Sequence, residues 1–341
     1  MIWQILLSFM LSTTSFGADA GPVLVSNYAS ASVPAVSPVP AVDSVTVEVY
    51  GEQRVPFQVR FGDETNSYDV MAMFVMPNDL VPVSVLPASG PTSGYQLVAT
   101  SGTTNTMTDG SWTWVAPSRP GLYPVEIHQP GSGQIMKLNV FVMVPYSDMR
   151  AGVLNGYRIG NYPRGKSQFY RRPSGFIEVS PGMEGVQVSP HFTLGQFLCK
   201  QAGGPTKYLV PRQALLVKLE ELLAEVNDRG HEAHTFELLS AYRTPSYNRA
   251  IGNSTTLSRH HYGDAADIYV DVDGDGRMDD LNGDGRHTLA DAKWLGAIVN
   301  STQDEPEFDG LTGGLGMYKP TGSHGAFVHV DVRGFEARWG A

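Results

Sequence analysis

The sequence predicts two folded domains, an N-terminal all-β sandwich of immunoglobulin-like architecture and a C-terminal α+β domain. Residues 44–146 hold eight short apolar runs about ten residues apart, separated by Gly, Pro, Asn and Asp, which is typical of a sandwich. Residues 185–341 instead combine an amphipathic helical repeat with isolated apolar strands. A chain of 341 residues is long enough to bury both cores.

The first residues have the features of an export signal. Residues 1–20 contain an apolar core at 5–11, and the segment 16–20 offers small residues for cleavage after Ala18 or Ala20. Residues 1–4 lack the Lys or Arg of a typical signal, so a mispredicted start or an apolar tail is the alternative. Residues 21–43, rich in Pro, Ala, Ser and Val, are expected to form an extended linker. We therefore expect an exported protein, periplasmic or extracellular, without a transmembrane span after signal removal.

The sandwich is predicted from alternating apolar residues between turn clusters. Its strands are expected at 45–50, 55–61, 68–76, 81–86, 95–100, 111–116, 122–128 and 135–144. The chain has no Cys-Trp-Cys framework, so the likeness to immunoglobulin domains is one of architecture alone. Trp112 and Trp114 lie on one face of a strand, where core packing is the first interpretation and a carbohydrate-binding platform the alternative. Residues 147–184 show little periodicity and are expected to connect the two domains.

The C-terminal domain is predicted from one helical repeat and several short strands. Leucines at helical spacing over 210–227 indicate a long helix, and Thr244-Pro245 is typical of the start of a short one. Strands are expected at 236–241, 265–270 and 326–332, and a further helix at 290–300. The single cysteine, Cys199, excludes an internal disulfide and is expected to be a buried structural residue.

Charge and histidine content restrict the function. The net charge of −10 argues against a nucleic-acid partner. Eight of the nine histidines lie at or after His191, so imidazole groups are concentrated in the predicted C-terminal domain.

The motif Ser-x-His-x-x-Gly-x-Ala-x-Asp, which runs from Ser258 to Asp267, predicts half of a metal site. It places the imidazole of His260 seven residues before the carboxylate of Asp267. In Phe-Val-His-Val-Asp, strand alternation puts His329 on the face opposite the valines. Two His and one Asp around an open position are typical of a catalytic zinc site. The alternatives are a surface histidine pair and, for His329, a structural histidine.

This motif, followed by a later His on a strand, resembles the zinc D-Ala-D-Ala peptidases and their hedgehog-fold relatives. Upstream, residues 240–248 resemble the segment of that family that carries an active-site Arg, here Arg243. The resemblance covers about residues 185–341 and implies a hedgehog-type zinc domain that cleaves a peptidoglycan peptide at a bond involving a D-amino acid. It implies that a water activated by zinc is the nucleophile, and that three residues hold the zinc: His260, Asp267 and His329.

The general base departs from the family pattern. Related enzymes often carry a Glu three residues before the last His or a His two residues before it, where this chain has Ala326 and Phe327. Asp331, on the same strand face as His329, is the first substitute, with an ion-pair partner of an arginine as the alternative. His324 is the second substitute.

Other residues are expected to bind substrate. Arg243 would hold the developing oxyanion or a substrate carboxylate, with a structural ion pair as the alternative. Ser258, Tyr242 and His261 are expected to line the cleft.

An acidic insert at 271–291 contains two loops that match calcium-binding EF-hand loops. Its seven Asp and two Arg give a net charge of −5, which a cation would neutralise. The predicted calcium ligands are Asp271, Asp273, Asp275 and Asp279 in the first loop and Asp280, Asn282, Asp284, Arg286 and Asp291 in the second. Calcium is expected to stabilise the rim of the site without taking part in catalysis, and a solvated acidic loop is the alternative.

Two further functions compete with a zinc peptidase. A wall-binding or interaction protein could keep the fold and a structural metal without turnover, as the missing Glu or His before His329 suggests. A calcium-dependent adhesion protein would account for the sandwich and the acidic loops but not for the zinc ligands. The sequence does not define the oligomeric state.

Overall fold

The computed structural model describes residues 53–90, 93–163, 168–253, 255–303 and 305–340. The predicted signal peptide, the linker and the strand at 45–50 lie outside these residues. The described part is mostly β, with three α-helices. Within it, no helix is long and apolar enough to cross a membrane.

The N-terminal part consists of two sheets. Its strands are β1 (Arg54–Phe61), β2 (Glu64–Tyr68), β3 (Val70–Val75), β4 (Leu80–Pro87), β5 (Gln96–Ala99), β6 (Thr103–Thr106), β7 (Trp112–Val115), β8 (Gly121–His128) and β9 (Ile135–Val142). One sheet has the order β2-β1-β4-β7-β6 and the other the order β3-β9-β8-β5. All neighbouring pairs are antiparallel except β3 and β9.

Alternating burial along these strands forms the core between the sheets. In β1 every second residue is buried, and the Phe57 ring contacts Tyr95, next to β5, at 5.1 Å between centroids. Trp112 and Trp114 are both buried, and the Trp114 indole N–H donates to the Ser101 carbonyl at 2.9 Å. Core packing of these tryptophans is therefore confirmed, and a carbohydrate-binding platform is wrong because neither indole is exposed.

Two strands of the sandwich differ from the prediction. The run predicted at 68–76 divides at Asp69, because β2 pairs with β1 whereas β3 pairs with β9 in the other sheet. Strand β6 has the sequence Thr-Thr-Asn-Thr and all four residues are exposed. It lies at a sheet edge, so it carries no apolar pattern that the sequence could reveal.

The remaining strands are β10 (Val144–Pro145), β11 (Val153–Leu154), β12 (Tyr157–Arg158), β13 (Gly175–Val179), β14 (Gln187–Ser189), β15 (Phe192–Thr193), β16 (Lys207–Leu209), β17 (Glu237–Ser240), β18 (Ala265–Tyr269), β19 (Gly314–Tyr318), β20 (Phe327–Asp331) and β21 (Ala337–Gly340). The helices are α1 (Gln213–Asp228), α2 (Pro245–Ala250) and α3 (Leu289–Ser301). The sheet that carries the candidate site has the order β17-β18-β20-β19-β21 and only its β19–β21 pair is parallel. The helices lie close to the predicted ranges, whereas β19 and β21 were not predicted.

Helix α1 packs against the sandwich as well as against the C-terminal sheet. The Glu221 carboxylate accepts from Arg54 at 2.5 Å and from the Tyr68 hydroxyl at 2.9 Å. One turn earlier in the helix, Lys218 is buried and donates to the carbonyls of Leu311 and Asp331, each at 3.0 Å. The described residues from 53 to 340 thus belong to one structural unit. The division into two domains and the immunoglobulin-like classification stay predictions.

Candidate metal centre

Five residues lie in one row across the C-terminal sheet. Antiparallel register pairs Ser240 with Asp267, Asp267 with His329 and His329 with Gly316, and parallel register pairs Gly316 with Trp339. Residues directly opposite each other on neighbouring strands project to the same face. The row therefore brings the carboxylate of Asp267 beside the imidazole of His329, although 62 positions separate them.

His260 reaches this row from a short 3-10 turn, Arg259–Tyr262, that ends at Gly263. Gly263 has a φ of +68°, and a Cβ there would lie 2.0 Å from the Val210 carbonyl oxygen. Only glycine fits this backbone, and the turn carries the chain directly into β18. The Ala241 carbonyl accepts from Nδ1 of His260 at 2.6 Å, so this hydrogen bond fixes the tautomer and leaves Nε2 as the ligand atom.

Three donor atoms converge at this point. Nε2 of His260 lies 3.2 Å from Nδ1 of His329 and 3.3 Å from Oδ1 of Asp267. Nδ1 of His329 lies 2.8 Å from the same Oδ1. Ligand atoms of a tetrahedral zinc ion, with bonds near 2.0 Å, stand roughly 3.3 Å apart, so two nitrogens and one oxygen at these distances fit zinc. The three residues are buried and form a group that can hold a metal ion.

The charges of the group suit a cation. Burial lowers the pKa of His260, which keeps its imidazole neutral as a ligand must be. Burial alone would raise the pKa of Asp267, but its contacts with His260 and His329 outweigh that effect and hold the pKa well below the usual range. For His329, burial is outweighed by hydrogen bonds with Asp267 and Asp331, which raise its pKa. A buried imidazole between two carboxylates marks a place that favours positive charge.

Two further groups fix the orientation of the ligands. Arg243 forms an ion pair with Oδ2 of Asp267, and its Nε donates to the Ser240 hydroxyl at 2.6 Å. Asp331 lies 3.2 Å from Nε2 of His329, on the far side of the ring from Asp267. Its carboxylate also accepts from the Gly314 N–H at 2.8 Å and from the Arg333 guanidinium at 2.9 Å.

These contacts change the roles expected of Arg243 and Asp331. For Arg243, the ion pair that was the alternative is present, and the side chain also lines the cleft. Asp331 is fully buried, accepts from protein donors on both oxygens and does not line the cleft. Burial would raise its pKa, but the hydrogen bonds from His329 and Arg333 hold it far below the usual range. This arrangement fits a residue that positions His329 and argues against the general base predicted from the sequence.

The three ligands open into a cleft of about 530 Å3. An aromatic wall that the sequence did not reveal stands beside His329. Tyr318 stacks on Phe327 at 4.5 Å between ring centroids, and its hydroxyl accepts from the Trp339 indole N–H at 2.7 Å. Gly316 leaves the room that Trp339 needs, since a Cβ there would lie 2.5 Å from the indole nitrogen.

Three predicted site residues lie away from this cleft. Tyr242 is buried in the core, with its hydroxyl 3.0 Å from that of Tyr162, and is not a substrate-binding residue. His261 is 2% exposed and does not line the cleft, because consecutive residues of the turn point in different directions. His324 lines a separate depression and donates from Nδ1 to the Gly325 carbonyl at 2.7 Å. Ser258, by contrast, lines the cleft as predicted.

The two acidic loops repeat one geometry. The Asp271 carboxylate accepts the backbone N–H groups four and five residues later, at 3.0 and 2.9 Å, and Asp280 does the same at 3.0 and 2.6 Å. In the first loop Asp271, Asp273 and Asp275 lie close enough to share an ion. For Asp291, the structure shows a contact other than the predicted calcium ligation. It is buried in the first turn of α3 and accepts the N–H groups of Leu281 and Thr288, so it caps the helix.

The buried His-Asp-His group defines a candidate metal site that opens into a cleft. Residues 190–280 match the model of the peptidase M15 family, which confirms the resemblance to zinc D-Ala-D-Ala peptidases. These residues are thus similar to a family of zinc-dependent peptidases. The match includes His260 and Asp267, and the register of β18 and β20 adds His329. No curated protein and no solved structure matches the chain significantly.

Proposed function

We propose that the protein is an exported zinc peptidase that hydrolyses peptidoglycan peptides at a bond involving a D-amino acid. The observation that carries this proposal is the convergence of His260, Asp267 and His329 at a cleft, within and beside a region of the peptidase M15 family. Removal of a terminal D-Ala and cleavage of a crosslink are the two reactions that this family resemblance implies.

Neighbouring residues hold the proposed zinc ligands in fixed orientations. Zinc bound by the three residues would supply a Lewis acid that polarises the scissile carbonyl and lowers the pKa of a water. Arg243 holds the Asp267 carboxylate, and Asp331 holds the His329 ring with Nδ1 toward the other ligands. Such outer partners raise metal affinity because they keep each ligand in one orientation.

The aromatic wall supplies a hydrogen-bond donor to the cleft. The Tyr318 oxygen already accepts from Trp339, so its own O–H is available to a bound substrate. We propose that this hydroxyl stabilises negative charge as it develops on the substrate oxygen. The flat rings of Tyr318 and Phe327 would pack against the peptide beside it.

The test is mass spectrometry of purified crosslinked and uncrosslinked muropeptides after incubation with the mature protein. Loss of D-Ala, or conversion of dimers to monomers, should occur, stop on addition of a zinc chelator and return with added zinc. Tyr318→Phe should lower kcat about 100-fold to 1,000-fold without changing bound zinc. No change in any muropeptide under zinc- and calcium-replete conditions would support the alternative, a wall-binding protein that keeps the metal.

The acidic loops are proposed to bind calcium and to stabilise the rim of the cleft. The repeated carboxylate geometry of Asp271 and Asp280 supports this, as does the close approach of three carboxylates in the first loop. Calcium should slow proteolysis within 271–291, and Asp271→Asn together with Asp280→Asn should abolish that protection. Equal proteolysis and equal activity with and without calcium would contradict the proposal.

A further inference from the structure

A second cleft, separate from the metal centre, is lined by three arginines and is here called the arginine cleft. Its volume is about 300 Å3, and its charged side chains are Arg171, Arg172 and Arg212. Apolar residues form the rest of its surface, among them Phe74, Met143, Val210, Pro211 and Tyr262. The cleft thus combines a hydrophobic floor with guanidinium groups, which is how proteins commonly bind an anionic organic group.

The three arginines of the cleft are exposed, and none of them forms an ion pair with a described residue. Among the described residues, no carboxylate lies within ion-pair distance of Arg171, Arg172 or Arg212. Two carboxyl groups feel the charge of Arg212: Glu64, which is exposed and forms no ion pair with it, and Asp264, which is buried and already paired with Arg259. The Arg172 guanidinium lies over the Tyr146 ring at 4.9 Å, which leaves its edge free to donate hydrogen bonds.

The start of helix α1 adds to this positive potential. Arg212 is the N-cap residue of a 16-residue helix, and no acidic residue occupies the first turn. The free N–H groups and the dipole at a helix N-terminus favour an anion. Three unpaired like charges beside a positive helix end repel one another, so a bound anion would relieve that repulsion.

The arginine cleft and the zinc cleft share a wall. Tyr262 lines the first and Tyr170 the second, and their rings meet edge to face at 5.8 Å. The Arg259 guanidinium covers both rings, at 4.9 and 5.2 Å. The two clefts are therefore neighbours, separated at this point by the two tyrosine rings.

We propose that the arginine cleft binds carboxylate groups of the peptidoglycan substrate that lie outside the scissile peptide. This inference rests on the proposed peptidase function and extends it, because it assigns a second contact that would favour large, multiply charged wall fragments over short peptides.

The test compares two triple variants that remove the same charge. One is Arg171→Gln, Arg172→Gln and Arg212→Gln. The control is Arg60→Gln, Arg119→Gln and Arg158→Gln, three exposed arginines that do not line the cleft. The ligands are a fluorescent crosslinked muropeptide with free carboxylates, the same molecule with amidated carboxylates, and a phosphate polymer of equal charge.

Fluorescence anisotropy, read before turnover accumulates, should show that the wild type binds the carboxylate form at least about 10-fold more tightly than the amidated form. The cleft variant should lose this preference and the control should keep it. Raising the salt concentration should weaken the preference, since exposed charges are screened. In hydrolysis, the cleft variant should raise KM for the crosslinked substrate about 10-fold and leave kcat for a short peptide unchanged.

Equal preference in both variants, or tighter binding of the phosphate polymer than of the carboxylate form, would overturn the proposal. Peptidase activity and carboxylate binding by the arginine cleft are tested by different outcomes. Hydrolysis without a carboxylate preference that depends on the cleft arginines would contradict only the proposed role of the arginine cleft. A cleft-dependent preference without any hydrolysis would contradict the peptidase and leave a wall-binding site.

Discussion

Gly263, which lies between the ligands His260 and Asp267, gives a quantitative test of the local geometry. In Gly263→Ala the new Cβ would lie 2.0 Å from the Val210 carbonyl oxygen and 2.7 Å from its carbonyl carbon. These are backbone atoms just ahead of α1, so no side-chain rotation relieves the clash. The left-handed backbone adds about 1 kcal/mol for any residue with a Cβ, and overpacking adds roughly 1–3 kcal/mol. The expected loss in the free energy of unfolding is therefore about 2–4 kcal/mol.

Gly252 provides the matched control. It also has a left-handed backbone, with a φ of +78°, but nothing lies within 4 Å of the position of its Cβ. Gly252→Ala should therefore lose only the conformational share, about 1 kcal/mol. Urea unfolding of both variants, without metal, measures the difference. Zinc affinity should fall about 10-fold to 100-fold in Gly263→Ala, because the turn that orients His260 has to move. Losses of stability that agree within about 0.5 kcal/mol would refute this account of Gly263.

Three other predictions concern Asp331, Lys218 and Trp114. Asp331→Asn should weaken zinc binding about 10-fold to 100-fold, because the carboxylate positions His329. At saturating zinc, its kcat should stay within a few-fold of wild type. A large loss of kcat with full zinc affinity would instead show that Asp331 is the general base. Burial lowers the pKa of Lys218 to about 8. As the pH rises, the folded state therefore releases this proton before the unfolded state does. The free energy of unfolding should increase by up to about 3 kcal/mol between about pH 8 and pH 10.5. Lys218→Met should lack this gain in urea unfolding at each pH, and an unchanged pH dependence would contradict the assignment. Trp114→Phe replaces the buried indole by a smaller ring and leaves the Ser101 carbonyl without its donor. The free energy of unfolding should therefore fall by about 1–3 kcal/mol. An unchanged free energy of unfolding would show that the indole is not part of the core.

The parts of the site that the sequence could predict depend on short-range geometry. The spacing of seven positions from His260 to Asp267, with Gly263 between them, defines how the two ligands approach each other. Strand alternation places His329 on the correct face. Helix α1 was predicted because its leucines repeat at helical spacing over several turns. In each case the signal lies within one segment of the chain.

The parts that failed depend on contacts between distant segments or on the direction of single side chains. Trp339 reaches the site through parallel pairing of β21 with β19, which no local pattern reveals. Tyr242 and His261 adjoin true site residues in sequence but point into the core. Asp291 was assigned to calcium because helix capping and calcium binding both require an oxygen side chain at the same place. Only the fold shows that Asp291, unlike Asp271 and Asp280, is completely buried and forms the capping box of α3.

The most direct test of the account is zinc titration of the metal-free protein, with bound zinc and muropeptide hydrolysis measured in the same samples. We expect one equivalent of tightly bound zinc per chain, and activity that rises in proportion to it. Asp267→Ala and His329→Ala should lose both, whereas His324→Ala, which changes a histidine outside the cleft, should keep both. Full zinc binding and hydrolysis in the Asp267 and His329 variants would contradict the claim that these residues form the catalytic metal centre.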